Sequence, residues 1–162
     1  MPEIVIRTYQ AADAQSVVNL FRASVRGIAA RDYNRSQLRA WAPDVIDEEK
    51  FGQRCESKST WVAKMEDRIV GFSDLEPNGH VDMLYVHPDF QRRGVARALL
   101  QHVEKAARAM DLCRLHTEAS ITARPAFEAV GFRVIVPQTV TVRGESMTNY
   151  RMEKRLDALP TP

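Results

Sequence analysis

The chain of 162 residues is 44% hydrophobic and 27% charged, an ordinary globular composition at the length of one domain. Twenty-three Lys and Arg against 21 Asp and Glu leave a net charge of +2, too near balance for a dedicated nucleic-acid binder. No apolar run approaches the roughly 18 residues of a membrane helix, and the opening Met-Pro-Glu-Ile-Val-Ile-Arg lacks the basic and apolar blocks of an export signal. Cys55 and Cys113 are too few for a disulfide framework and read as free buried thiols. A cytoplasmic location follows as the expectation, with neither nucleic acid nor membrane as partner and a monomer or homodimer as the assembly.

In chain order, Ile4 to Tyr9 alternates and is β-branched, which predicts a first strand. Asp13 stands at an N-cap position before Val17, Leu20, Phe21, Val25 and Ile28, whose helical spacing predicts a helix to about Ala30. A short helix stopped by Pro43 and a polar helix from Asp47 to Glu56 follow. Thr60–Met65 and Ile69–Leu75 read as a hairpin around Glu66-Asp67-Arg68, and His80–Val86 as one further strand after the Pro77-Asn78-Gly79 turn. Val95, Leu99, Leu100, Val103, Ala107 and Met110 mark the clearest amphipathic helix. Leu112–Ala119 reads as a strand, Thr122–Val130 as a short helix ended by Gly131, and 132–136 and 147–152 as the last strands. One domain over 1–156 is expected, with 157–162 as a frayed tail.

The segment richest in chemistry is Leu84-Tyr85-Val86-His87-Pro88-Asp89-Phe90-Gln91-Arg92-Arg93-Gly94-Val95-Ala96. A strand enters a short loop that opens a helix near Gly94, and such a junction offers unpaired N–H groups and a helix dipole to an anion. Gly94 and Ala96 let a phosphate approach the backbone, while Gln91, Arg92, Arg93 and Arg97 add donors. The lone glycine excludes the NTPase and dinucleotide loops, which need two and three.

Gln91-Arg92-Arg93-Gly94-Val95-Ala96 resembles the [Gln/Arg]-x-x-Gly-x-[Gly/Ala] signature of the GNAT superfamily of N-acetyltransferases. Leu84–Pro88 looks like the family's strand into that loop, Ala123–Phe132 like its helix ending in Gly-Phe, and Tyr150–Leu156 like its closing strand. The string Asp32-Tyr33…Gln37…Ala40-Trp41-Ala42-Pro43 is similar to the YafP-like branch. The resemblance implies an α/β GNAT fold: a mostly antiparallel sheet of about seven strands flanked by helices and splayed between the fourth and fifth. It further implies acetyl-CoA, with its pyrophosphate on the N–H groups of Arg92 to Arg97 and its pantetheine arm along Met83–Val86, contacting Leu84, Tyr85 and Val86.

Acetyl transfer needs a deprotonated amine, a polarised thioester and a proton for the leaving thiolate. His80 occupies the position where many family members place a carboxylate base, and Asp82 lies two residues on, on the same face of a regular strand. Phe127 stands where the family often carries an acidic Tyr, so Tyr85, Tyr33, Ser120 or a water would have to take that part, or the thiolate leaves unprotonated. Tyr33, Trp41 and Glu118 are the candidate acceptor contacts for a small-molecule or peptide amine. His116-Thr117-Glu118 lacks the Pro-Cys-x-x-Cys of zinc deaminases, and histidines at 80, 87, 102 and 116 have no metal spacing, so no metal is expected. The reading is a GNAT N-acetyltransferase working by direct attack in a ternary complex. Its rivals are a non-catalytic acyl-CoA-binding module, suggested by Phe127, and a nucleic-acid-binding domain using Arg92, Arg93, Arg97 and Arg108.

Overall fold

The computed structural model describes residues 3–156, so the expected 157–162 tail lies outside the described residues. Strand β1 (Val5–Thr8) leads into α1 (Ala14–Gly27), α2 (Arg35–Trp41) and α3 (Glu48–Glu56). The chain then runs through β2 (Ser59–Met65), β3 (Arg68–Leu75), β4 (His80–Val81), β5 (Leu84–Val86), α4 (Val95–Ala109), β6 (Arg114–Ser120), α5 (Arg124–Ala129), β7 (Arg133–Val142) and β8 (Glu145–Arg155). Asn34 caps α2 through a bond from Gln37 N–H, and Asp47 caps α3 through one from Lys50 N–H. Asp13 does not cap α1. Its carboxylate accepts from both terminal guanidinium nitrogens of Arg7, Nη1 and Nη2, at 2.8 and 2.9 Å, and from Gln10 N–H.

The expected sheet of about seven strands is two four-stranded sheets, ordered β1-β2-β3-β5 and β4-β6-β8-β7. Every pairing is antiparallel except β4 with β6. The sheets part because the strand read as 80–86 breaks at Asp82-Met83. Its first half pairs with β6, His80 opposite His116, and its second half pairs with β3, Leu84 opposite Ser73. A break in a buried strand leaves orphan backbone groups, each of which must find a partner or cost stability. Here side chains supply the partners. Asp74 Oδ1 accepts from Asp82 N–H (2.7 Å) and Met83 N–H (3.3 Å), Ser73 Oγ donates to Met83 O (2.6 Å), and Thr117 Oγ1 donates to Val81 O (2.7 Å). All three side chains belong to buried residues.

Sheet β1-β2-β3-β5 packs one face on α1–α3, through Phe21, Phe51, Phe72 and Met83, and the other on α4, through Ala63, Val70, Val95 and Leu99. A Cβ on Gly71 would lie 2.7 Å from Val95 Cγ1, so that glycine sets how closely α4 sits on β3. The second sheet packs on α4 and α5 through Val103, Leu115, Phe127, Phe132 and Met152. The last two strands are longer than expected and meet in the two-residue turn Arg143-Gly144, at φ of +45° and +83°, the geometry that fits strand twist. Pro137 is tolerated because β7 is the outer strand of its sheet.

Candidate functional site

The parted sheets open a cleft of about 350 Å³ between β5 on one side and Ser120 with α5 on the other. β5 ends its sheet. His87 N–H donates to Val70 O at 2.8 Å, which fixes the alternation: Tyr85 and His87 turn their backbone groups to β3, whereas Leu84 and Val86 turn theirs outward. The open edge therefore carries amide donors and acceptors with no strand partner.

The cleft runs to the N-terminus of α4. Arg92 at φ +62° and Gly94 at φ +81° are both left-handed, which turns the chain sharply and points the following N–H groups outward. Gly94 sits at the N-cap of α4 with no side-chain cap, so the first-turn N–H groups stay available to a ligand. Gln91, Arg92, Val95, Ala96 and Arg97 border the cleft with Leu84, Tyr85, Val86 and Gly94. Arg93 is the exception: it does not border the cleft, and its guanidinium lies over the Phe90 ring, 5.2 Å from the centroid. α5 and its N-cap offer Ala123, Ala126 and Ala129, a small-residue wall that the sequence did not mark as part of a site. Their i, i+3 spacing was its only signal.

Two networks of charge flank the break. Asp82 Oδ2 accepts from Arg54 Nη2 (2.5 Å), Arg54 Nε (3.1 Å) and Lys58 Nζ (2.8 Å). Burial works against the charge, but these two cations prevail and hold the Asp82 carboxyl below the usual range. Lys58, almost fully buried, also faces Asp74 at 3.4 Å and Glu76 at 3.6 Å. Burial pushes the Asp74 carboxyl up to about 6. His80 joins the second network, with Nδ1 2.6 Å from Glu76 and Nε2 2.7 Å from Glu118. Burial disfavours the imidazolium, yet the two carboxylates outweigh it and raise the His80 value. His80 and Asp82, read as sharing the face of a regular strand, fall in different networks, because Asp82 lies in the break itself; Lys58 and Glu76 link them. Neither Arg54 nor Lys58 was anticipated, since nothing in α3 or the turn after it marks them locally.

Of the expected acceptor contacts, Trp41 borders the cleft and donates Nε1–H to the Tyr85 hydroxyl at 3.1 Å. Glu118 is exposed and bound to His80. Tyr33 is a correction: it is buried, its hydroxyl donating to Thr148 O (2.6 Å) and accepting from Ile121 N–H (2.9 Å), so it joins α2 to the second sheet. Phe127 packs in the core with its ring centroid 5.0 Å from that of Phe132. Ser120, in the cleft, accepts from Ala123 N–H and keeps its hydroxyl proton to give. Both cysteines are free, but only Cys55 is buried, its thiol pushed up to about 12 by desolvation; Cys113 is exposed. Arg108 is engaged by Glu104 and Leu156 O and does not extend a basic face. No helix among the described residues is long and apolar enough to cross a membrane.

The model of the acetyltransferase (GNAT) domain matches residues 29–154. The chain is 39% identical over 153 residues to an uncharacterized N-acetyltransferase of Escherichia coli K12, YafP, over 94% of this chain and 96% of that protein. The fold matches a GCN5-related N-acetyltransferase from Rhodopseudomonas palustris with a TM-score of 0.90 at 36% identity, over 94% of this chain and 95% of that one. PaiA N-acetyltransferase from Thermoplasma acidophilum, solved with coenzyme A, shares the fold at a TM-score of 0.77 and 19% identity, over 95% and 99% of the two chains. The signature loop read from the sequence thus lies where two sheets part, on a chain with relatives along nearly its whole length: it belongs to the GNAT acetyltransferase family and is an acyltransferase.

Proposed function

We propose that the protein moves the acetyl group of acetyl-CoA to an amine by direct attack in a ternary complex. The observation that carries this reading is the open edge of β5, with the outward backbone of Leu84 and Val86 leading to the uncapped N-terminus of α4. An amide-bearing pantetheine arm satisfies such an edge as an added strand would, and a pyrophosphate suits first-turn N–H groups. Arg92 and Arg97 then face the phosphates, while Arg93 stays on Phe90.

The reaction sets the acceptor end at the strand break. The amine lone pair bonds to the thioester carbon, the C–S bond breaks with its electrons on sulfur, and the amine proton passes to a base. His80 and Asp82 do not border the cleft but stand at that break, on β4 and just after it. Asp82, held ionised by Arg54 and Lys58 on Oδ2, turns its other oxygen to accept from the amine N–H and orient it. His80, backed by Glu76 and Glu118, receives the proton, directly or through a water, in its neutral form, which prevails only at pH above its raised value. Ser120 and Tyr85 are hydroxyls bordering the cleft that can return a proton to the thiolate, a part Phe127 has no group to play. Trp41 borders the cleft on the approach of a small-molecule or peptide amine, and Glu118 reaches that amine only through His80.

The test is release of the coenzyme A thiol from acetyl-CoA across a panel of amines. Amine-dependent release is expected, with His80→Ala and Asp82→Asn each lowering kcat/KM by roughly a hundredfold and the double variant falling little further. Phe127 favours one competing reading, a module that binds acyl-CoA without turning it over. Tight acetyl-CoA binding with no release for any amine would establish that module instead.

A further inference from the structure

The parallel pairing of β4 with β6 sets His80 opposite His116, and Glu118 lies two residues further along β6 on the same face. The two imidazoles stack at 5.2 Å between centroids, 23° from parallel. Glu118 Oε1 is 2.7 Å from His80 Nε2, and one ligand atom from each of the three residues lies within 4.8 Å of the other two. We infer that His80, His116 and Glu118 form a binding site for a divalent transition-metal ion of the zinc class.

Ligands about 2.1 Å from a tetrahedral ion stand about 3.4 Å apart, so side-chain rotation closes this site without moving either strand. One outer partner is already in place. Glu76 Oε2 lies 2.6 Å from Nδ1 of His80, which fixes the ring and leaves Nε2 for the ion. Carboxylates and carbonyls behind histidine ligands are what orient them in metal sites. Two imidazole nitrogens and one carboxylate oxygen suit zinc, whereas magnesium and calcium prefer oxygen alone. The carboxylates of Glu118 and Glu76 balance a double positive charge, and exposed Glu118 gives the ion an entrance with a fourth position open to water. The ion would replace the hydrogen now shared between His80 and Glu118. Its further consequence, that the metal-bound and proton-accepting states of His80 exclude each other, rests on the proposed function; the site itself does not.

The experiment is calorimetric titration of tag-free, chelator-treated protein with Zn²⁺, with Mg²⁺ as control. One Zn²⁺ per chain in the micromolar range or tighter is expected, with no Mg²⁺ uptake. His116→Ala and Glu118→Gln should each weaken binding by about tenfold or more, and Glu76→Gln by about tenfold through the ring it orients. Circular dichroism and acetyl-CoA affinity verify each variant, and exposed Glu118 secures one variant that keeps the fold. Absence of saturable Zn²⁺ binding would overturn the site, as would unchanged affinity in folded Glu118→Gln. Both are read without turnover, so an inactive acetyltransferase leaves them intact.

Discussion

Gly94 and Arg92 carry the sharpest conformational demands of the loop, at φ of +81° and +62°. Nothing lies within 4 Å of a Cβ built on Gly94. The requirement for glycine is therefore set by the backbone, not by a clash. A side chain there costs about 1–2 kcal/mol in the left-handed region, more if β-branched. Gly94→Val should weaken acetyl-CoA binding by roughly tenfold or more in calorimetry, Gly94→Ala by less. Arg92→Ala should have a modest effect, because the proposed contacts run through backbone N–H groups. Equal affinity of Gly94→Val and wild type would remove the loop from the cofactor site.

At the scale of elements, the broken strand depends on one buried carboxylate. Asp74 Oδ1 holds both N–H groups of the break, while Oδ2 has no hydrogen-bond partner and faces Lys58 Nζ at 3.4 Å. Its folded value of about 6 lies above the ordinary carboxyl range, chiefly through burial. The native state keeps that proton longer than the unfolded chain, so this residue's contribution to stability is full below about pH 4 and is lost as pH rises to about 6. Asp82 acts oppositely: its value is lowered, so its contribution is lost as pH falls. Asp74→Asn removes the first slope and keeps a carbonyl oxygen for the break. Thermal melts between pH 4 and 6 should show the advantage of wild type over Asp74→Asn shrinking as pH rises. A constant or growing difference would show that Asp74 stays ionised across that window.

Across the whole molecule, side-chain hydrogen bonds and apolar packing tie the helical segment to the second sheet. Gln37 reaches Ser146 O, Arg143 reaches Ala40 O, and buried Tyr33 bonds Thr148 O and Ile121 N–H. Tyr33→Phe leaves the Ile121 N–H without its partner, which costs about 1–3 kcal/mol. At about 2–4 °C per kcal/mol for a chain of this size, Tm should fall by several degrees, with KM for the amine little changed. A raised amine KM at unchanged Tm would restore Tyr33 to the acceptor site.

The sequence by itself determined the family and most elements, and singled out the loop proposed for the cofactor, because these are written in contiguous residues: the loop spans 91–96, and α4 declares itself in apolar spacing. The resemblance brought in Leu84, Tyr85 and Val86 together; which of them turn their backbone outward was decided by the pairing of β5 with β3. Where the chain departs from strand alternation, only the tertiary structure decided. The break at Asp82-Met83 is held by Ser73, Asp74 and Thr117 from neighbouring strands, so no pattern within 80–86 announces it. The same cause separates His80 from Asp82 and brings Arg54 and Lys58 to the latter. The hairpin of β7 and β8 outruns its expected length because Pro137 reads as a strand breaker until the strand is seen to be an outer one. The histidines lack metal spacing along the chain, yet parallel pairing sets His80 beside His116. Local physics acts through residues near in sequence, whereas register, burial and charge clusters act through residues near only in space.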